Sequence, residues 1–163
     1  MAKSFKGGTK KTAFLDTISV CDIETSNIAE RCKFNFSYFT EDPAGQKFDE
    51  WENNKTLSEL LCKIKEYTNK PISYWISQST LVNYKSFPNK EKTDFTMPKH
   101  IPHDVHWGRF RLGSKIRLVG FILPGNFEKK ECRINNKNYI FDTNTFYVTF
   151  LDNNHKFYKV EKK

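Results

Sequence analysis

The stretch Trp107-Gly-Arg-Phe-Arg-Leu-Gly-Ser-Lys-Ile-Arg-Leu-Val-Gly-Phe-Ile-Leu123 decides how this chain is read. Residues 105–112 and 115–123 both have strand composition, and Gly113-Ser114 between them suits a two-residue type II′ turn with glycine at its first central position. That turn predicts a register in which Leu112 opposes Lys115, Arg111 opposes Ile116, Phe110 opposes Arg117 and Arg109 opposes Leu118. Side chains alternate along a strand, so Trp107, Arg109 and Arg111 would share one face of the hairpin and Arg117 would take the other.

Working outward, residues 146–152 read as a further strand. Asn153-Asn154 fits a type I′ turn that returns residues 156–160 beside it, setting Asp152 opposite His155 and Phe150 opposite Phe157. Residues 31–39 alternate, with Phe34, Phe36 and Tyr38 on one side, and residues 12–20 and 81–84 have strand composition. A Thr56-x-x-Glu59 capping box opens a helix whose apolar face is Leu57, Leu60, Leu61 and Ile64, and it should end near Thr68, ahead of Pro71. Phe48 and Trp51 anchor a short helix before it. Residues 87–102 contain three prolines and read as a long surface loop. The expected fold is a single α+β domain over residues 12–163, with a twisted, mainly antiparallel sheet and one or two helices on one face, preceded by a flexible basic arm, residues 1–11.

A chain of 163 residues can bury one real core without disulfides or a structural metal. Its fifteen Phe and seven Tyr imply a core built largely from rings. Lys and Arg outnumber Asp and Glu by 27 to 19, for a net charge of +8 and a pI near 9.3, which nominates a polyanionic partner. The four cysteines are scattered and suit free thiols in a reduced compartment. No apolar run is long enough for a membrane span and no secretion signal is evident, so a cytoplasmic location and no membrane association are expected.

Arg109 and Arg111, with Trp107 as a stacking platform and Lys115 and Arg117 nearby, form a candidate RNA-binding strip, because guanidinium groups grip phosphate bidentately and stack on bases. The alternative is that these arginines cover Ile116 and Leu118 or pair with the acidic residues Glu50 and Glu52. Asp152 beside His155 would fix the imidazole tautomer and suit proton transfer, with Tyr158 a third candidate, unless Asp and His merely close a surface turn. His100, His103 and His106 form an H-x-x-H-x-x-H string that invites a metal, although Pro98 and Pro102 exclude the continuous helix that would align them. Sequence patterns for nucleotide hydrolysis, dinucleotide binding and serine hydrolysis are absent, and no cofactor is called for.

Arg31-Cys-Lys-Phe-Asn-Phe-Ser-Tyr-Phe39, Asp94-Phe-Thr-Met-Pro-Lys-His-Ile-Pro-His103 with Trp107-Gly-Arg-Phe-Arg-Leu112, and Asn144-Thr-Phe-Tyr-Val-Thr-Phe-Leu-Asp-Asn-Asn-His-Lys-Phe-Tyr158 resemble an uncharacterised family of bacterial proteins. From Thr56 to Tyr158 the order of a helix, an arginine hairpin and a strand ending in a His and Tyr segment is similar to RelE/ParE-type ribosome-dependent toxins. That resemblance implies messenger RNA bound on a concave sheet, with Arg109, Arg111 and Arg117 clamping phosphate and His155 or Tyr158 moving protons. The chain departs from those toxins in its length, its N-terminal region and its proline-containing loop. The leading expectation is an RNA-binding protein, as a metal-independent endoribonuclease of toxin or phage-defence type. The rivals are a non-catalytic protein-interaction subunit presenting Trp75, Trp107 and Tyr84, and a metal-dependent hydrolase built on the histidine string.

Overall fold

The structure is a computed structural model that describes residues 8–18 and 22–159. In chain order these form helix α1 (Gly8–Leu15), strand β1 (Lys33–Asn35), helices α2 (Phe48–Asn53), α3 (Thr56–Tyr67) and α4 (Ile72–Ser77), and strands β2 (Leu81–Lys85), β3 (His106–Arg111), β4 (Arg117–Ile122), β5 (Glu131–Ile134), β6 (Lys137–Ile140) and β7 (Thr145–Asp152). Five strands build one mixed sheet in the order β1-β7-β4-β3-β2, with β1 parallel to β7 and the other neighbours antiparallel. β5 and β6 form a separate hairpin. The expected α+β class holds.

The sheet is apolar on both faces, and each face is covered differently. On the first, Trp51, Leu60, Tyr67, Ile72 and Trp75 of α2, α3 and α4 pack on Leu81, Phe110, Leu118, Phe146, Val148 and Leu151. On the second, the cover is the segment read as a surface loop. Phe95, Ile101 and Val105 from that region, with Phe157 from beyond β7, seal Trp107, Val119, Phe121 and Phe150. Phe95 and Ile101 are each only 5% exposed, because a second apolar sheet face must find a second layer. Burying a side chain of this size contributes about 1.5–3 kcal/mol.

The β3–β4 register differs from the two-residue turn by one residue: Arg111 opposes Arg117, Phe110 opposes Leu118 and Arg109 opposes Val119. The turn is longer, closing with the Leu112 N–H on the Ile116 carbonyl at 3.1 Å, and no described glycine has positive φ. Arg117 builds this loop. Its guanidinium donates to the carbonyls of Gly113 (2.8 Å), Ser114 (3.1 Å) and Ile116 (2.8 Å). The shift keeps Phe110 and Leu118 together under the helices, whereas the shorter turn would put Arg117 opposite Phe110 in that core. A one-residue slip exchanges the faces of a strand, so Arg117 joins Arg109 and Arg111 on the second face.

Other expectations shift for local reasons. Residues 12–20 are not a strand: α1 covers Gly8–Leu15, and 19–20 lie outside the described residues, as do residues 1–7 of the expected arm. β1 ends at Asn35, whose side-chain oxygen takes the Ser37 N–H at 2.8 Å. Thr56 does not cap α3 with Glu59; its hydroxyl donates to the Trp51 carbonyl at 3.0 Å, and the residue before it, Lys55, takes φ 60°. The type I′ Asn-Asn turn is Asn135-Asn136 (φ 50° and 61°), joining β5 to β6. Residues 153–159 instead form an irregular tail, with positive φ at His155 (58°), so neither the return strand nor the opposition of Phe150 and Phe157 exists there.

Two bulges shape the sheet. Between Asn83 and Lys85, β2 carries Tyr84 as an extra residue against β3. Opposite Gly120, β7 carries another, and the approach is so close that a Cβ on Gly120 would lie 2.0 Å from the Tyr147 carbonyl oxygen. Among the described residues no helix is long and apolar enough to cross a membrane.

Candidate functional site

The second face of the sheet is graded along its length. Its Trp107 end is roofed by the long loop, while its Arg111 end presents charge. There β3 contributes Arg109 and Arg111, and β4 contributes Arg117, directly across from Arg111. Arg117 is 4% exposed; burial and then the two neighbouring arginines lower its pKa, yet a guanidinium stays cationic. The described ion pairs are Lys33–Asp142, Lys47–Glu41, Lys63–Glu66 and Lys159–Asp94, so none joins an arginine of this cluster to a carboxylate. The alternative in which these arginines pair with Glu50 or Glu52 is therefore not realised among the described residues.

The tail after β7 folds back so that the Arg109 guanidinium lies 2.5 Å from His155 Nε2. Arginine only donates, so Nε2 accepts and the imidazole proton belongs on Nδ1. Burial, followed by the charges of Arg109 and Arg117, holds the His155 pKa below its ordinary value of 6.5. This imidazole is neutral at pH 7.

Asp152 makes no hydrogen bond to that imidazole, and its charge, which favours the protonated form, is outweighed by burial and the arginines. Fully buried, it spends its carboxylate on the tail backbone: Oδ1 accepts from Asn154 (3.1 Å) and Lys156 (3.0 Å), and Oδ2 accepts from Phe157 (2.9 Å). It is the staple that turns the chain and presents His155, which removes it from the expected acid–base pair.

Tyr84, aimed by the β2 bulge, lies under Arg109, whose Cζ is 5.7 Å from the ring centroid. Burial raises its pKa and the Arg109 charge opposes the rise. The Tyr84 hydroxyl and Arg109 Nε are both buried and neither makes a hydrogen bond of full geometry, although the guanidinium lies close enough to the hydroxyl to act on it as a donor and oppose the rise in its pKa. Tyr158 stacks on Tyr84 at 4.5 Å and 10°, and its hydroxyl accepts from Lys92 Nζ at 3.4 Å. Arg109, Arg111, Arg117, His155 and Tyr158 thus converge, with Tyr158 joining through Tyr84. Lys92 was missed by sequence reasoning, and Tyr84, expected only on a protein-interaction surface, was missed as part of this site. The only signal for Tyr84 was its place in a strand-like run, and nothing there marks a bulge.

Other candidates fall elsewhere. Lys115 is exposed in the β3–β4 loop. Trp107 is 1% exposed and packs edge-on to Phe87 at 4.8 Å, so it is core and no stacking platform; Trp75 is likewise buried, which removes both from an interaction surface. His100 stacks on Tyr38 at 6.0 Å, His103 is exposed and His106 opens β3. Among the described residues no three His, Cys, Asp or Glu side chains gather in a way that would hold a metal ion. Cys32, Cys62 and Cys132 are free thiols, and burial pushes Cys32 up to about 12; Cys21 lies outside the described residues.

Comparison of the chain with protein-family models, with curated proteins and with solved structures finds no match. Chemically, the site offers three guanidinium groups with no described carboxylate in ion-pair contact, one buried carboxylate, Asp152, opposite Arg117, a neutral imidazole and two phenols. The three cations exceed that single carboxylate, so an anion with several oxygens would add counter-charge and offer Arg109 Nε an acceptor.

Proposed function

We propose that the chain binds RNA by its phosphates at Arg109, Arg111 and Arg117 and cleaves it as a metal-independent endoribonuclease with His155 as general base. The observation that carries this reading is the Arg109–His155 contact inside a cluster of three arginines that make no described ion pair and outnumber the one carboxylate, Asp152, that lies opposite Arg117. The order of helix, arginine hairpin, strand and His and Tyr segment that underlies the resemblance to RelE/ParE-type toxins supports it.

In this mechanism a phosphate oxygen draws the Arg109 guanidinium away from His155 and frees the Nε2 lone pair. His155 then takes the ribose 2′-hydroxyl proton as the 2′-oxygen attacks phosphorus. Arg109, Arg111 and Arg117 hold the charge that accumulates on the phosphorane. The 5′-oxygen leaves with a proton from a phenol of the Tyr84–Tyr158 pair, and a 2′,3′-cyclic phosphate remains. A depressed His155 pKa keeps the base form present at neutral pH.

Incubation with labelled RNA, free and on ribosomes, with and without EDTA, tests this directly. The expected result is EDTA-resistant cleavage that ends in cyclic phosphate, is blocked by 2′-deoxy substitution at the cut, and is lost in folded Arg109→Ala and His155→Ala. No cleavage by the folded parent under any of these conditions removes the enzymatic claim. A second reading, a protein-interaction subunit, draws on Phe14, Leu15, Ile18, Ile23 and Ile28, large apolar side chains each about half exposed or more. An RNA-inert parent would favour it.

A further inference from the structure

A cleft of about 310 Å3 opens beside the arginine cluster, lined by Tyr84, Ser86, Phe87, Asn89, Lys92 and Tyr158 together with Pro88. Its volume is at the lower end of the range for small organic ligands, about 300–1,000 Å3. Tyr84 is common to both places, touching Arg109 on one side and lining the cleft on the other.

The walls are held from several directions. After the β2 bulge, Lys85 takes φ 64° and the Ser86 N–H donates to the Tyr84 carbonyl at 2.8 Å, which turns the chain out of the sheet. A second turn closes with the Lys92 N–H on Asn89 at 2.9 Å, and the Lys92 carbonyl accepts the Lys159 N–H at 2.7 Å, tying this loop to the tail that carries His155. Phe87 is wedged between Trp107 (4.8 Å) and Phe157 (5.5 Å). The result is a rigid aromatic wall, Tyr84 on Tyr158, with a cation 5.5 Å from the Tyr158 ring and a polar rim of Ser86 and Asn89, whose side chains engage no other described residue.

We propose that this cleft holds one unpaired base of the RNA strand, that of a nucleotide adjoining the phosphate at Arg109, stacked against the Tyr84–Tyr158 wall with Asn89 and Ser86 at its edge. The inference rests on the phosphate-binding reading and adds to it a source of sequence preference. A base suits the cleft better than a second phosphate does. The only cation among its described lining residues, Lys92, is already engaged at the hydroxyl end of Tyr158, where it donates to that hydroxyl. The remaining surface is flat, aromatic and edged with neutral donors and acceptors, the features that single-stranded RNA bases use.

The test measures binding of a short single-stranded RNA by fluorescence anisotropy in the His155→Ala protein, with a single abasic nucleotide moved along the strand and with salt varied. Base removal at one position is expected to weaken binding about tenfold, in line with the stacking of one base on aromatic side chains. Asn89→Ala should weaken the intact RNA, leave the RNA abasic at that position unaffected, and keep the slope of log affinity against log salt unchanged. Arg109→Ala should instead reduce that slope by about 0.7 for every strand tested. If no position responds to base removal while binding stays salt-steep and dependent on Arg109, the base site is refuted and the phosphate reading stands. If the folded protein, with His155 intact or replaced, binds no RNA at any salt, both fall.

Discussion

Asp152→Ala removes the acceptor of three backbone N–H groups at once, those of Asn154, Lys156 and Phe157. A hydrogen bond to a charged acceptor contributes about 1.5–3 kcal/mol. The Asn154 and Lys156 amides sit in the outer part of the tail, where water can take over most of the loss. Phe157 is fully buried, so its N–H would be left without a partner. One bond counted in full and two in small part give a destabilisation of about 3 kcal/mol. Urea denaturation measures it, with an unchanged m-value confirming that the same transition is being compared. His155→Ala, which removes a half-buried side chain and one hydrogen bond to Arg109 but no backbone acceptor, should cost about 1 kcal/mol, well below Asp152→Ala. Asp152→Asn should fall between the two, since it keeps one oxygen but turns an amide donor toward another. If Asp152→Ala proves as stable as the parent while losing cleavage to the same degree as His155→Ala, the staple argument is wrong and Asp152 belongs to the chemistry.

His155 binds its proton less readily in the folded protein than in the unfolded chain, so below pH 6.5 the unfolded state takes up more protons and stability falls as the pH drops through that window. Melting temperatures recorded from about pH 5 to 8 should show this slope in the parent and a flatter one in His155→Gln. Gly120→Ala places a methyl group 2.0 Å from the Tyr147 carbonyl oxygen at the β7 bulge and should cost about 3 kcal/mol or more, read by the same urea titration. Tyr84→Phe deletes a buried hydroxyl whose polar neighbour, the Arg109 guanidinium, is not in full hydrogen-bond geometry. It should leave stability equal to or slightly above the parent, and weaken RNA binding in the anisotropy assay; unchanged binding would remove that hydroxyl from the phosphate site.

The strands at the centre of the sheet were legible because β3, β4 and β7 carry dense apolar residues at every level of reading, and α3 shows a clear apolar face. Register was not legible. A two-residue and a longer turn at Gly113 differ little locally, and the decision rests with a guanidinium that finds three carbonyls once the chain has closed. Asn135-Asn136 and Asn153-Asn154 were equally suited to a type I′ turn. Asn153-Asn154 loses that geometry because Asp152 captures the amides that follow it, a contact between a buried carboxylate and a tail that no local pattern encodes. Phe87, Phe95 and Ile101 stand too far apart among polar neighbours to announce a core layer, so the loop looked like surface and Trp107 beneath it looked free. The arginines were found in the sequence; that all three share one face was visible only in the structure.

β7 is an interior strand of the five, second in the order between β1 and β4, yet the ribosome makes it after all the others. Until it emerges, β1 has no partner in the sheet and β4 is an open edge, because both pair with β7. The nascent chain at that stage already displays Arg109, Arg111 and Arg117, but Asp152 and His155 arrive only with the end of β7 and the tail. Pairing of elements so distant in the chain is slow to form and late. The order of synthesis therefore acts as a timer: the arginines wait beside an unfinished sheet, and His155 joins them only when the last strand locks into place between β1 and β4.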